Sequence, residues 1–217
     1  MSQHTRRHPD RLRKATGTIR ILTGATTLIA LGVAYALAIR AGQGSPFDYF
    51  GYFTNLTSLA TSGIVITAGV YALRGNCAPL PLVFARGVST ACMIVVGVVY
   101  NALVPGTGAA PPWVNAWLHI ALPILVALDW LISCDRRPLP FTRLWIVLPY
   151  PLLWLTVVLI RGATDGWVPY GFLLPATGAF SITLHGVGLL AALISAGALV
   201  WGASHLHTIL HYGSVSA

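Results

Sequence analysis

Charged side chains are scarce: 13 Lys and Arg and 5 Asp and Glu in 217 residues, or 8 %, where a soluble domain carries about 25 %. That shortage excludes an ordinary water-facing surface. Cysteine is also sparse, with 3 in the chain. Cys77 and Cys134 fall in connections expected on the reducing side and Cys92 inside an apolar run, so an odd count in that setting argues against a structural disulfide. No internal repeat is visible. Connections such as Val104-Pro105-Gly106-Thr107-Gly108 and Ala110-Pro111-Pro112 hold turn formers without the spacing of a phosphate cradle, and no cofactor is expected.

What the chain has instead is long apolar sequence: 56 % hydrophobic residues and a mean hydropathy of +0.75. Crossing the hydrocarbon core takes about 20 apolar residues in a helix. The runs Ile19–Ile39, Phe53–Leu73, Leu82–Val104, Val114–Ile132, Leu144–Ile160 and Ile182–Trp201 meet that length. They are continuous rather than alternating, which argues against a strand barrel. The expected fold is all-α, a polytopic integral membrane bundle of six transmembrane helices. It divides into a basic N-terminal segment (residues 1–18), the transmembrane domain (19–211) and a short tail (212–217). Pro149 and Pro151 should kink the fifth span or delay its helical start.

Basic residues set the orientation. Arg6, Arg7, Arg11, Arg13 and Lys14 precede the first span, Arg74 and Arg86 flank the second connection, and Arg136, Arg137 and Arg143 occupy the fourth. The opposite side has only Arg40 and Arg161, at helix ends where they can snorkel. Both termini are therefore expected in the cytoplasm, with the plasma membrane as the location. Three separate basic loops do not form the single face that nucleic acid requires. The expected partners are membrane lipids, whose anionic headgroups suit the basic N-terminus. Ala36-Leu37-Ala38 resembles a signal-peptidase site, but the preceding apolar run exceeds the 7–15 residues of a signal, so the first span is read as retained.

Polar groups inside hydrocarbon are costly and point to function. Ser45-Pro46-Phe47-Asp48 offers an N-cap, a proline at the first helical position and an acid at the third. The second helix is expected to begin there, before its apolar run, so that Thr54 lies about 12 Å along it. His119 lies about 9 Å into a helix starting at Pro112-Trp113. Both helices start from the non-cytoplasmic side, so the two residues share a depth in the outer leaflet. Asn115 stands one turn above His119, Asn55 adjoins Thr54, Asn101 ends the third span, and His185 lies one turn below Ser181. Arg161, Asp165, Trp167 and Tyr170 lie above the same zone, and no comparable cluster is expected in the inner leaflet. A hydroxyl and an imidazole in a dry site suit nucleophilic catalysis, with amide donors for an oxyanion.

Structural roles stand beside that reading. Threonine in membrane helices bonds its own i−4 carbonyl, and asparagine and histidine tie helices together. Asp129, about 15 Å below His119, is expected to pair with Arg136, Arg137 or Arg86. Of His205, His207 and His211, only the last two share a helix face, with no Cys or carboxylate to complete a metal site. No metal is expected.

Tyr52-Phe53-Thr54-Asn55-Leu56, together with Trp113-Val114-Asn115, His119 and Asp129, resembles the androgen-inducible and androgen-dependent membrane threonine hydrolases and their bacterial six-helix, proline-rich relatives. Trp167-Val168-Pro169-Tyr170 with Phe172-Leu173 is similar to an aromatic-proline patch that recurs there. The resemblance implies Thr54 and His119 as a catalytic pair cleaving fatty acid esters of hydroxy fatty acids; the shared depth adds Asn55, Asn101, Asn115, His185 and Arg161 as supporting groups. Two departures stand out: Ala116 occupies a position where vertebrate members can carry histidine, and Pro123 is displaced by one residue. Two functions follow as expectations. The first is an intramembrane threonine-type lipid esterase acting on acyl esters in the outer leaflet. The alternative is a non-catalytic transporter, lipid-binding or scaffold protein.

Overall fold

The computed structural model describes the backbone of residues 7–103, 106, 110–133 and 135–212, and side chains between residues 11 and 206 within those ranges. Cys134 and the side chains of His207 and His211 lie outside them. Helices run over Arg7–Arg40 (α1), Pro46–Tyr49 (α2), Phe53–Leu73 (α3), Leu80–Leu103 (α4), Pro112–Ile132 (α5), Pro149–Thr164 (α6) and Ala179–Tyr212 (α7), with no strand among the described residues. Six of them are long and apolar enough to cross a membrane, the fifth counted from Phe141 through the 3-10 turn before α6. The protein is therefore an all-α, six-span bundle. Hydrocarbon offers backbone groups no partner, so each span satisfies its own. Span starts, with the fifth counted from Phe141, lie within three residues of the apolar runs except for α1, which gains several turns at its N-terminus. The delayed start at Pro149 matches the expectation from the two prolines.

α4 is the central helix: 61 % of its apolar window is buried, against 22 % for the fifth span. α1 and α3 pack backbone to backbone. A Cβ on Gly69 would lie 2.7 Å from the Gly17 carbonyl oxygen, and one on Gly24 2.9 Å from that of Ser62. In lipid, such small-residue contacts are the main source of helix association. α1 ends in a Schellman turn: Gly42 takes φ +75° and the Gln43 N–H reaches the Ala38 carbonyl at 2.8 Å.

One end of the bundle carries a charge cluster that the sequence reading missed. Asp129 accepts from Arg20 and Arg86, each at 2.8 Å. Asp135 accepts from the same two arginines, at 2.5 and 3.1 Å. Ser133 joins them, accepting from Arg20 at 2.9 Å and donating to Asp129 at 2.8 Å. Both arginines are 2 % exposed. Of the expected partners of Asp129, Arg86 is borne out. Arg136 instead stacks on Trp130 at 5.6 Å and donates to its carbonyl, and Arg137 is exposed. The expectation that this half of the bundle lacks a polar cluster is overturned, because folding brings Arg20 and Asp135 beside the Arg86–Asp129 pair. Their carboxylates neutralise two guanidiniums that would otherwise be unpaired in hydrocarbon.

Candidate active site

Helix α2 does not continue into α3. Ser45 caps it, its hydroxyl accepting from the Asp48 N–H at 3.2 Å as expected. The helix then stops at Tyr49 and α3 restarts at Phe53. Gly51 explains the break. Its carbonyl is taken by Trp154 Nε1 at 2.8 Å, and Trp167 packs so close that a Cβ would sit 2.3 Å from the ring. Thr54 is therefore the second residue of α3 rather than about 12 Å along a continuous helix. The short α2 lies across the end of the bundle, tied down by Arg161. That guanidinium bonds Asp48 at 2.7 Å and Asp165 at 2.9 Å and stacks on Trp167 at 4.2 Å.

Beneath this cover is a cavity of about 380 Å³. Thr54 and Asn55 reach it from α3, and Asn115 and His119 from α5. Leu37, Val99 and Leu189 supply apolar wall from α1, α4 and α7. Of the residues singled out from sequence, these four polar side chains share one cavity, while Asn101, His185 and Arg161 do not line it. His185 bonds the Ser181 carbonyl at 2.8 Å and stacks on Phe172. Arg161 serves the cover. Both instead engage the loop after α6.

The helix carrying His119 widens into a π-turn over Trp117–Ala121. Pro123 has no N–H to give the His119 carbonyl four residues back. Asn101 Nδ2 replaces that donor at 3.1 Å, so Asn101 acts on the site through the backbone. The His119 ring is fixed on two sides. Nδ1 donates to the Asn115 carbonyl at 3.1 Å, and the Tyr100 ring stacks on it at 3.5 Å and 15°. A carbonyl can only accept, so Nδ1 carries the proton and the Nε2 lone pair is left for chemistry.

Thr54 is 8 % exposed, and no hydrogen bond joins its hydroxyl to His119 among the described contacts. Tyr170, from the loop after α6, lines the same cavity. Burial pushes its phenol up to about 12, partly offset by interactions with Thr54 and Phe53. Sequence reading placed it above the site without a role. Asn55 and Asn115 each commit Nδ2 to a backbone carbonyl, of Tyr49 at 2.8 Å and Ala110 at 3.0 Å. Each amide retains a second N–H and its Oδ1 for a ligand. Among the described residues no group of His, Cys, Asp or Glu is arranged to hold a metal ion. His205 bonds the Leu139 carbonyl at 3.0 Å, while the His207–His211 face lies outside the described side chains.

Comparison with protein-family models, curated proteins and solved structures finds no match to this chain.

Proposed function

We propose that the cavity is the active site of an intramembrane lipid esterase, opening to the outer leaflet of the plasma membrane, with Thr54 as nucleophile and His119 as base. The observation that carries this reading is the joint placement of Thr54 and a histidine of fixed tautomer in one largely apolar cavity. The resemblance of the surrounding motifs to membrane threonine hydrolases supports it. Thr54 Oγ attacks the ester carbonyl carbon while His119 Nε2 takes the hydroxyl proton. The carbonyl π pair moves onto oxygen, where the free N–H of Asn55 or Asn115 meets the charge. Collapse breaks the ester C–O bond, and His119 returns the proton to the departing alcohol. Water then attacks the acyl-threonine with His119 again as base, releasing the acid and restoring the hydroxyl. Because Thr54 rests against Tyr170, the first step requires its χ1 to turn toward His119 or one water to bridge them.

That resting arrangement also favours a second reading, a lipid-binding protein in which Thr54 only holds Tyr170. Turnover of a p-nitrophenyl acyl ester by purified protein in phosphatidylcholine nanodiscs separates the two. Thr54→Ala and His119→Ala should each lower it at least 100-fold, about 2.7 kcal/mol. The double variant should lose little more, since parts of one catalytic unit are non-additive. Turnover surviving either change with the helix content intact refutes the pair.

A further inference from the structure

Among the described residues the cavity wall contains no Asp, Glu, Lys or Arg. His119 is the only basic side chain among them, and the Nδ1 side of that ring is already spent on the Asn115 carbonyl. Its other polar groups are neutral amides and hydroxyls, including Thr54, Tyr52, Tyr170 and Gln43. The cover offers no free cation either. Arg161 is bridged to both Asp48 and Asp165, so two carboxylates face one guanidinium there. Arg40, at the end of α1, is exposed and is not part of the wall. The connection over residues 104–110 has no charged residue in its sequence.

We infer that the cavity takes an uncharged acyl ester and rejects esters or fatty acids that bring a free carboxylate inside. An ionised carboxylate without a paired cation is costly to bury. The neutral donors here fit an ester carbonyl and an alcohol oxygen, which need hydrogen bonds but no counter-charge. The inference deepens the esterase reading and rests on it for the word ester. It also departs from what the family resemblance implies, since a fatty acid ester of a hydroxy fatty acid has a free carboxylate.

The test uses the wild-type protein in phosphatidylcholine nanodiscs at pH 9 and three photo-crosslinking probes with the same 12-carbon diazirine chain: the free acid, its methyl ester and the uncleavable methyl ketone. The ester and ketone should label peptides bearing Leu37, Val99 or Leu189 at least tenfold more than the acid does, about 1.4 kcal/mol in affinity. Equal labelling by the acid overturns the inference. Installing a cation should reverse the preference, so Leu189→Lys is expected to raise acid labelling at least tenfold. Leu37→Lys, at the more exposed rim, serves if Leu189→Lys does not fold, and acid labelling unchanged in a folded variant also counts against the inference. An ester that labels the cavity but is never cleaved by wild-type protein refutes the esterase and leaves the preference for a neutral ligand standing.

Discussion

Replacing Asp129 by Asn should destabilise the bundle far more than an average substitution. The side chain is nearly isosteric, so packing is preserved and only charge is lost. Asp129 bonds Arg20 and Arg86 at 2.8 Å each, and both arginines are 2 % exposed. Without its charge, Asp135 alone faces two buried guanidiniums. Breaking a buried pair in this way costs about 3–5 kcal/mol. At about 2–4 °C per kcal/mol for a chain of this size, the melting temperature should fall by roughly 6–20 °C. Tryptophan fluorescence during a fixed-rate thermal ramp of the detergent-solubilised protein measures it. The paired variant Asp129→Leu with Arg86→Met should recover much of the loss, because the remaining Arg20–Asp135 pair is balanced. A drop below about 3 °C for Asp129→Asn would refute the claim that this cluster is electrostatically closed. Asp135 adds a pH signature. Burial pushes its carboxyl up, but Arg20 and Arg86 outweigh that and hold it at about 2, below the ordinary 3.8. A depressed folded value means the stabilisation is complete above about pH 4 and drains away as pH falls through about 2. Wild-type protein should lose more stability over that window than Asp135→Asn.

Two further outcomes follow from the packing and the charge pattern. Gly69→Val places side-chain atoms against the Gly17 carbonyl, 2.7 Å from where its Cβ must stand; overpacking of this kind should cost about 1–3 kcal/mol, read as a lower melting temperature, whereas Gly63→Ala, with open space around it, should change little. If the charged end of the bundle faces the cytoplasm, as the basic loops predict, exposed Cys77 in a Cys134→Ser background should react with an impermeant maleimide in inverted vesicles and not in intact cells. Labelling in intact cells would reverse the orientation and move the cavity to the inner leaflet.

The six spans were legible because one physical demand, a hydrocarbon length of apolar backbone that bonds itself, dominates each of them. The apolar run Phe53–Leu73 coincides with α3, although the helix is expected from sequence to begin earlier, at Pro46, and Ser45-Pro46-Phe47-Asp48 does start a helix. The end of that short helix was not legible. It depends on Trp154 and Trp167, from α6 and the loop after it, meeting Gly51, and a local reading sees only residues that favour continuing. The charge cluster failed for the same reason. Arg86 with Asp129 could be matched by depth, but no local pattern pairs Arg20 or Asp135 with them. Only the folded bundle brings all four together.

Within the site, depth along each helix was enough to group Thr54, Asn55, Asn115 and His119, since a helix start fixes how far in each residue lies. Depth has no angular component, which is why His185 and Arg161 were grouped with them and lie outside the wall. Tyr170 shows what the missing component costs. Its aromatic-proline setting marked it, yet nothing in the sequence indicates that its hydroxyl meets the first turn of α3. That contact changes the chemistry expected of Thr54. If Thr54 is the nucleophile of the proposed esterase, a phenol interacting with it competes with His119 for its hydroxyl, and a ligand that displaces the phenol would free that hydroxyl for the base. On the proposed esterase reading, Tyr170→Phe, which removes the hydroxyl and keeps the ring stacked on Phe172, should therefore weaken dependence of turnover on substrate fit rather than abolish turnover.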